Sequence, residues 1–357
     1  MVETTNKLTI LSFGAGAIGT YIGGSLAACG HRVVFIEQPA VLEKLKKGGM
    51  HLDLSIDPRR SDNAEISLSS PHVEFVPSFS EALAFGPFDV ALFALKSFDT
   101  ETVLASLGND LSKLPPILCL QNGVANEDLI AKYVGADKVI YGTVTSAIVR
   151  RDAGSIVLEK LRGVGVALGH PLSARLVAAM DEAILNARTF NEPRSMKWSK
   201  MLTNLLANAT SAILNMTPSQ VFADPSLAKL EIGQIKECLA VMRSQGIQVV
   251  DLPGTPVKAL AFAMNLPLWL SQPFLVKAIG GGRGAKMPSF HIDLYSGRKK
   301  SEVDFLNGAV SNVGMKAGVP TPINTLLSKL LIGLTDGSIP LDSYDHAPKK
   351  LLEQLKG

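Results

Sequence analysis

Leu8-Thr9-Ile10-Leu11-Ser12-Phe13-Gly14-Ala15-Gly16-Ala17-Ile18-Gly19 is a short apolar run that breaks into a G-x-G-x-x-G and continues with helical spacing to Cys29. In a strand–turn–helix the three glycines have separate mechanical tasks. Gly14 permits the tight turn, Gly16 lets backbone approach a pyrophosphate, and Gly19 lets helix and strand pack closely. A pyrophosphate at the helix start meets free N–H groups and the positive end of the dipole. Gly14, Ala15, Gly16, Ala17, Ile18 and Gly19 are therefore expected to bind a dinucleotide. The bland alternative, a glycine-rich turn, does not need strand and helix on its two sides.

The next apolar run, Arg32–Ile36, ends at Glu37, 18 residues beyond Gly19. An acidic residue there accepts hydrogen bonds from the adenosine ribose hydroxyls and repels a 2′-phosphate. Gln38 follows rather than Arg or Lys. Glu37 and Gln38 together favour NAD(H) over NADP(H). The competing reading makes Glu37 a solvated strand end.

Further strand signals follow at Val73–Val76, Val90–Leu95, Ile117–Leu120, Val139–Thr145, Gly154–Leu158 and Gly163–Leu168, with helical stretches between most of them. Alternation of this kind indicates a parallel sheet covered on both faces. Residues 53–72 are polar and contain Pro58 and Pro71, as an insertion or extra hairpin would. From Pro193 the pattern becomes helical: Ser195–Leu214, Pro218–Gln245, Pro256–Ile279, Glu302–Ala317 and Pro322–Leu334. Asp342–Gly357 is more charged and reads as peripheral. The expected fold is α/β, a Rossmann-type doubly wound parallel sheet over residues 1–190, followed by an all-helical domain over 191–357. Two domains also suit a chain of 357 residues, at roughly 100–200 residues per domain.

Composition narrows the function classes. Net charge is +3, and no basic tract lines up to neutralise phosphates, so nucleic acid is not an expected partner. Mean hydropathy is positive, +0.23, and Leu8–Gly30, Met201–Ala223 and Ala259–Val276 carry no charge. Six glycines in the first, three asparagines in the second and two prolines with two amides in the third argue against lipid-facing spans. No membrane association is expected. The three cysteines, Cys29, Cys119 and Cys238, show no paired or zinc-like spacing. No metal is expected, and the cysteine usage, with no signal-peptide arrangement in Met1–Lys7, points to a reducing cytoplasm.

The chemistry concentrates in the second half. Lys200, Asn204 and Asn208 recur every fourth residue and so share one helical face. A lysine and two amides among Met201, Leu202, Leu205 and Leu206 are costly unless they face a polar cleft. An exposed face would carry more charge. Farther on, Ser301 and Asp304 have the spacing of a helix capping box, which would leave Glu302 as a helix-start acid. His291 and His31 read as structural histidines, although His is the commonest general acid–base residue.

These pieces resemble, in order, the ketopantoate reductases (2-dehydropantoate 2-reductases): the opening G-x-G-x-x-G, Leu95-Lys96, Gln121-Asn122-Gly123, Trp198-x-Lys200-x-x-x-Asn204-x-x-x-Asn208, Pro288-Ser289 to Asp293, and Ser301-Glu302-x-Asp304-x-x-Asn307-Gly308. The resemblance spans nearly the whole chain. It implies hydride transfer from a nicotinamide cofactor to the carbonyl of a 2-oxo acid, ketopantoate above all, in pantothenate synthesis, in a cleft between the two domains of a homodimer. By position it makes Lys200 the catalytic acid and Glu302 the carboxylate that holds the substrate hydroxyl. Asn204 and Asn208 orient the substrate, Ser289 contacts its polar head, and Lys96 and Asn122 line the cofactor and substrate cleft. The family's NADPH-using members commonly carry Arg where this chain has Gln38, so NAD(H) is expected, with NADP(H) the alternative that the resemblance leaves open. Two alternatives stand beside this. One is an NAD-dependent D-2-hydroxyacid dehydrogenase acting on another branched or aromatic 2-oxo acid. The other is a non-catalytic NAD(H) sensor, which would need the glycines but not Lys200, Asn208 and Glu302.

Overall fold

A computed structural model describes residues 7–60, 64–280 and 286–355. The chain forms two compact units, one of Met1–Gln121, Ala125–Lys197 and Leu252–Thr255, the other of Asn122–Val124, Trp198–Asp251 and Pro256–Gly357.

Among its described residues the first unit holds twelve strands: β1 (Thr9–Phe13), β2 (Arg32–Ile36), β3 (Met50–Asp53), β4 (Glu65–Leu68), β5 (Val73–Val76), β6 (Val90–Phe93), β7 (Ile117–Cys119), β8 (Val139–Val144), β9 (Ala147–Asp152), β10 (Ser155–Lys160), β11 (Val164–Ala167) and β12 (Ala187–Phe190). Eight of them form one sheet in the order β12-β11-β8-β7-β6-β1-β2-β5. Its core, β5-β2-β1-β6-β7-β8, is parallel throughout. In chain order these six strands run 3-2-1-4-5-6, the order that places a dinucleotide beyond the strand carboxyl ends. The β1 and β2 side chains alternate between two buried cores: Ile10, Val33 and Phe35 face one, Leu11, Phe13 and Val34 the other. A strand covered on both faces is largely apolar, which is why β1 and β2 read as apolar runs; Ser12 is the buried exception in β1, and its hydroxyl donates to Gly14 O at 3.2 Å.

The hairpin expected within 53–72 begins earlier, at β3, and pairs with β4. It belongs to a second sheet, β4-β3-β10-β9. Gly154–Leu158 therefore joins this second sheet rather than the first; β11 extends the first, antiparallel to β8, and β12 forms its edge. Sequence reading passes over β9, whose Arg150, Arg151 and Asp152 are exposed and carry no apolar signal, and over the half-exposed β12.

Among its described residues the second unit contains helices and turns but no strand. The long helical periods are subdivided. Ser195–Leu214 becomes Pro193–Leu205 and Asn208–Leu214, parted by Ala207 at φ 52° and ψ 11°. Pro218–Gln245 becomes Pro218–Ala223 and Pro225–Ser244. Asp224 stays extended before Pro225 and caps the second helix by accepting from Ser226 N–H at 2.7 Å. Pro256–Ile279 divides into Val257–Ala263 and Leu268–Gly280, next to Pro267. Glu302–Ala317 divides into a 3-10 turn, Glu302–Phe305, and the helix Asn307–Ala317. The final segment is fastened rather than peripheral: Tyr344 and Leu351 are buried, and His346 N–H donates to Leu214 O at 2.9 Å. No helix among the described residues is long and apolar enough to cross a membrane.

Candidate active site

In the first unit the glycine loop takes the conformation its sequence requires. Gly14 lies at φ +93°, and its N–H donates to Ile36 O at 3.1 Å, tying the loop to the end of β2. A Cβ at Gly19 would run into the carbonyl oxygen of Gly14, so only glycine lets the helix Ala17–Ala28 approach this closely. A Cβ at Gly16 would meet nothing within 4 Å. The helix start has no side-chain cap. Open space beside Gly16 and an uncapped run of helical N–H groups fit a pyrophosphate.

Glu37 does more than end a strand. Its Oε2 accepts the Ala15 N–H at 2.8 Å and its Oε1 accepts the Gln38 N–H at 3.0 Å. The carboxylate thus braces the glycine loop from the position where it can also meet a ribose.

The ends of β6 and β7 are cross-linked. Lys96 lies just past β6, at the start of the turn Ser97–Asp99. Gln121, just past β7, donates through Nε2 to Leu95 O at 3.1 Å and to Thr100 Oγ1 at 2.8 Å. Lys197, only 3% exposed, reaches the same place. Its Nζ pairs with Glu127 Oε1 at 2.7 Å and donates to Gln121 O at 2.6 Å and Gly142 O at 3.3 Å. Burial alone would lower this ammonium, but Glu127 and Cys119 beside it hold it above its ordinary value. Sequence reasoning misses Lys197 and Glu127 and names Gln121 only within the Gln121-Asn122-Gly123 motif, without this role; for Lys197 the signal is a second lysine one turn before Lys200.

In the second unit, Lys200 and Asn204 are half-buried on successive turns of Pro193–Leu205. Asn204 Nδ2 donates to Asn122 Oδ1 at 3.1 Å. Asn208 does not continue that helix; it begins the next one. Its Nδ2 donates to Asn204 O at 3.1 Å and lies 3.5 Å from Ser289 Oγ, while its Oδ1 accepts the Phe290 N–H at 3.1 Å. Asn122, Asn204, Asn208 and Ser289 are thereby brought into one connected run. The shared helical face expected from their spacing is replaced by a kink with Asn208 on its far side.

Glu302 is 5% exposed and opens the 3-10 turn Glu302–Phe305. The capping box forms only in part. Ser301 Oγ accepts from Val303 N–H at 3.2 Å, and Asp304 Oδ1 instead receives Ser328 Oγ at 3.3 Å. Helix Pro322–Asp336 packs against both this turn and helix Asn208–Leu214. His291 stacks on Tyr295 and its Nε2 lies 2.7 Å from Asn215 Oδ1; His31 Nδ1 accepts the Leu8 N–H at 2.9 Å. Burial lowers both histidines, and both have structural partners. Among the described residues no His, Cys, Asp and Glu group could hold a metal ion.

Sequence models of the family described as ketopantoate reductase PanE/ApbA match residues 10–170, and those of its C-terminal part match residues 192–335. The chain belongs to the ketopantoate reductase PanE/ApbA family.

As a member of that family it is a nicotinamide-dependent oxidoreductase of ketopantoate reductase type. It is 27% identical to the 2-dehydropantoate 2-reductase of Archaeoglobus fulgidus over 91% of this chain and 97% of that one. It is 23% identical to the enzyme of the same name from Streptococcus pyogenes, over 89% and 95%. Among solved structures, the PanE/ApbA family ketopantoate reductase from Ralstonia eutropha JMP134 superposes with a TM-score of 0.75 at 24% identity, covering 92% and 99%. D-mandelate dehydrogenase in complex with NADH and anilino(oxo)acetate superposes at 0.71 with 21% identity, over 92% and 99%. At these identities the two structures speak for the shared fold.

Proposed function

We propose that this family member reduces a 2-oxo acid to the 2-hydroxy acid, with 2-dehydropantoate as the substrate, as a cytoplasmic homodimer serving pantothenate synthesis. Residues 1–190 hold the cofactor and 191–357 the substrate. The observation that carries the reading is the run Asn122–Asn204–Asn208–Ser289 beside Lys200, in a chain whose relatives are named 2-dehydropantoate 2-reductases.

A bound nicotinamide supplies the hydride; the protein supplies position and charge. The backbone of Gly14–Gly19 holds the pyrophosphate, Glu37 takes the ribose, and Lys96 and Asn122 line the way to the nicotinamide. As negative charge grows on the carbonyl oxygen, the Lys200 ammonium donates a proton to it. Glu302 accepts the hydrogen bond of the new hydroxyl. Asn204 presents its amide to the substrate, and Ser289 contacts the substrate's polar end. Asn208 has its own amide taken up locally, so it acts by holding Ser289 and Asn204 in place. Glu37 and Gln38 favour NADH over NADPH, because a carboxylate repels a 2′-phosphate.

The second reading is an NAD-dependent D-2-hydroxyacid dehydrogenase for another branched or aromatic 2-oxo acid. It is favoured by Glu37 together with the fold shared with NADH-bound D-mandelate dehydrogenase. Initial rates of NADH and NADPH oxidation across 2-dehydropantoate, branched and aromatic 2-oxo acids test both. Highest kcat/KM with 2-dehydropantoate supports the first reading, and highest kcat/KM with another branched or an aromatic acid supports the second. No turnover with any of them sinks both.

A further inference from the structure

The helix that carries Lys200 and Asn204 ends at Leu205, and the chain turns through the left-handed region at Ala207 before Asn208 starts the next helix. Alanine gains nothing from that conformation, which crowds its Cβ against the following carbonyl. A tertiary contact has to hold it there. Glu231, on helix Pro225–Ser244, is 0% exposed. Its Oε2 accepts the Ala207 N–H at 2.6 Å and Gln234 Nε2 at 2.6 Å, and its Oε1 accepts the Thr210 hydroxyl at 2.5 Å. Gln234 Nε2 also donates to Leu205 O at 3.3 Å. One buried carboxylate and its glutamine neighbour therefore grip the last residue of the first helix, the kink, and the first turn of the second.

The same cluster extends toward Glu302. Gln234 Oε1 accepts from Asn307 Nδ2 at 3.0 Å, and Asn307 opens the helix that follows the Glu302–Phe305 turn. Asn307 Nδ2 lies 3.0 Å from Asn324 Oδ1, and Asn324 Nδ2 donates to Glu237 Oε2 at 2.7 Å. A carboxylate buried this deeply is costly unless its oxygens are filled by donors. Here the donors are the elements that carry the candidate site.

We propose that Glu231 is a positioning residue: it sets the angle between Asn204 and Asn208 by clamping Ala207, and through Gln234 and Asn307 it ties that angle to the turn bearing Glu302. The inference rests on reading Lys200, Asn204, Asn208 and Glu302 as the site of 2-oxo acid reduction. Glu231 touches neither substrate nor cofactor; it acts through the backbone.

The test uses the full chain with Glu231→Gln, Glu231→Leu, and Glu231→Leu combined with Ala207→Gly. Glutamine keeps an acceptor for Ala207 and Gln234 and can donate to the Thr210 oxygen; leucine keeps volume but offers no acceptor. Glu231→Leu is expected to lower kcat on the 2-oxo acid by about 10-fold or more, since small misplacements of this kind carry such losses. Its NADH affinity, read by fluorescence titration, stays at the wild-type value. Glu231→Gln keeps most of the wild-type kcat. Ala207→Gly restores part of what Glu231→Leu loses, because glycine enters the left-handed region freely. Amide hydrogen exchange at Ala207 rises by about 10-fold or more in Glu231→Leu, with helix Pro322–Asp336 unchanged, as for a local opening.

Wild-type kcat in Glu231→Leu, a Gln variant as impaired as the Leu variant, or no recovery with Ala207→Gly would overturn the inference. If Glu231→Leu does not fold, Thr210→Val carries the comparison: kcat falls with NADH affinity intact, and an unchanged kcat counts against the clamp. If the wild type turns over no 2-oxo acid, the functional reading fails and the exchange experiment decides alone, with unchanged exchange at Ala207 refuting the clamp.

Discussion

The side-chain oxygen of Asn208 accepts the backbone N–H of Phe290 at 3.1 Å, joining the start of one helix to the start of another 82 residues later. Asn208 is 6% exposed and its amide nitrogen is also engaged. Asn208→Ala leaves a buried donor without its acceptor, a loss of about 1–3 kcal/mol. Asn204→Ala, half-buried with its side chain on Asn122, should raise KM for the 2-oxo acid with little change in stability. Urea unfolding and KM for the two variants check this contrast; equal stability losses would contradict it.

Lys197 and Lys200 stand one turn apart, and the proposed function gives them different duties. Lys197→Met leaves Glu127 as an uncompensated charge in the core, which costs about 3–5 kcal/mol. Lys200→Ala should leave unfolding unchanged and lower kcat by about 10²–10⁴-fold, the usual worth of a positioned acid. Denaturant unfolding and steady-state rates on both variants check the division. A stable Lys197→Met enzyme would show that the buried pair matters less than its geometry suggests.

Gly16 and Gly19 are expected to separate cofactor contact from packing. Gly16→Ala meets no protein atom within 4 Å, so it should keep the fold and lose NADH affinity as the methyl group enters the pyrophosphate's space. Gly19→Ala drives a Cβ into the Gly14 carbonyl and should lose affinity together with about 1–3 kcal/mol of stability. Fluorescence titration with NADH, beside thermal unfolding, distinguishes the two.

Burial pushes the Glu231 carboxyl up to about 7 from 4.5, against the pull of its donors Thr210, Ala207 and Gln234. Between those values the folded chain holds a proton that the unfolded chain has released. Stability from this group is therefore full below pH 4.5 and declines as pH rises toward 7, by about 3 kcal/mol in all. Glu231→Gln removes the titration. Relative to wild type, it should gain stability between pH 4.5 and pH 7. Unfolding free energies of both proteins across this range check the sign, and parallel curves would contradict it.

Much of the first unit is legible in the sequence because its signals are local. Three glycines at fixed spacing after an apolar run can do little else, and buried parallel strands are largely apolar on both faces. The Asp224-Pro225 break has a local signal, since aspartate caps and proline starts a helix, but the helical period read from Pro218 to Gln245 runs across it. The kink at Ala207 is not. Alanine carries no turn signal, the apolar period runs on through Leu214, and the force that bends the chain comes from Glu231, 24 residues away in the sequence. For the same reason Asn208 looks from its spacing like a third residue on a single face, whereas the structure makes it the hinge-side anchor of Ser289. Lys197 hides behind Lys200, because burial and an ion pair with Glu127 are tertiary facts.

The most direct measurement of hydride transfer from nicotinamide to the carbonyl of a 2-oxo acid uses NADH deuterated at C4 with 2-dehydropantoate, in wild type and in Lys200→Ala. The expected result is a 2-hydroxy acid carrying deuterium at its C2 carbon, formed by the wild type and about 10²-fold or more slowly by Lys200→Ala. Product without the label at C2, absence of product from the wild type, or an undiminished rate in Lys200→Ala would contradict it.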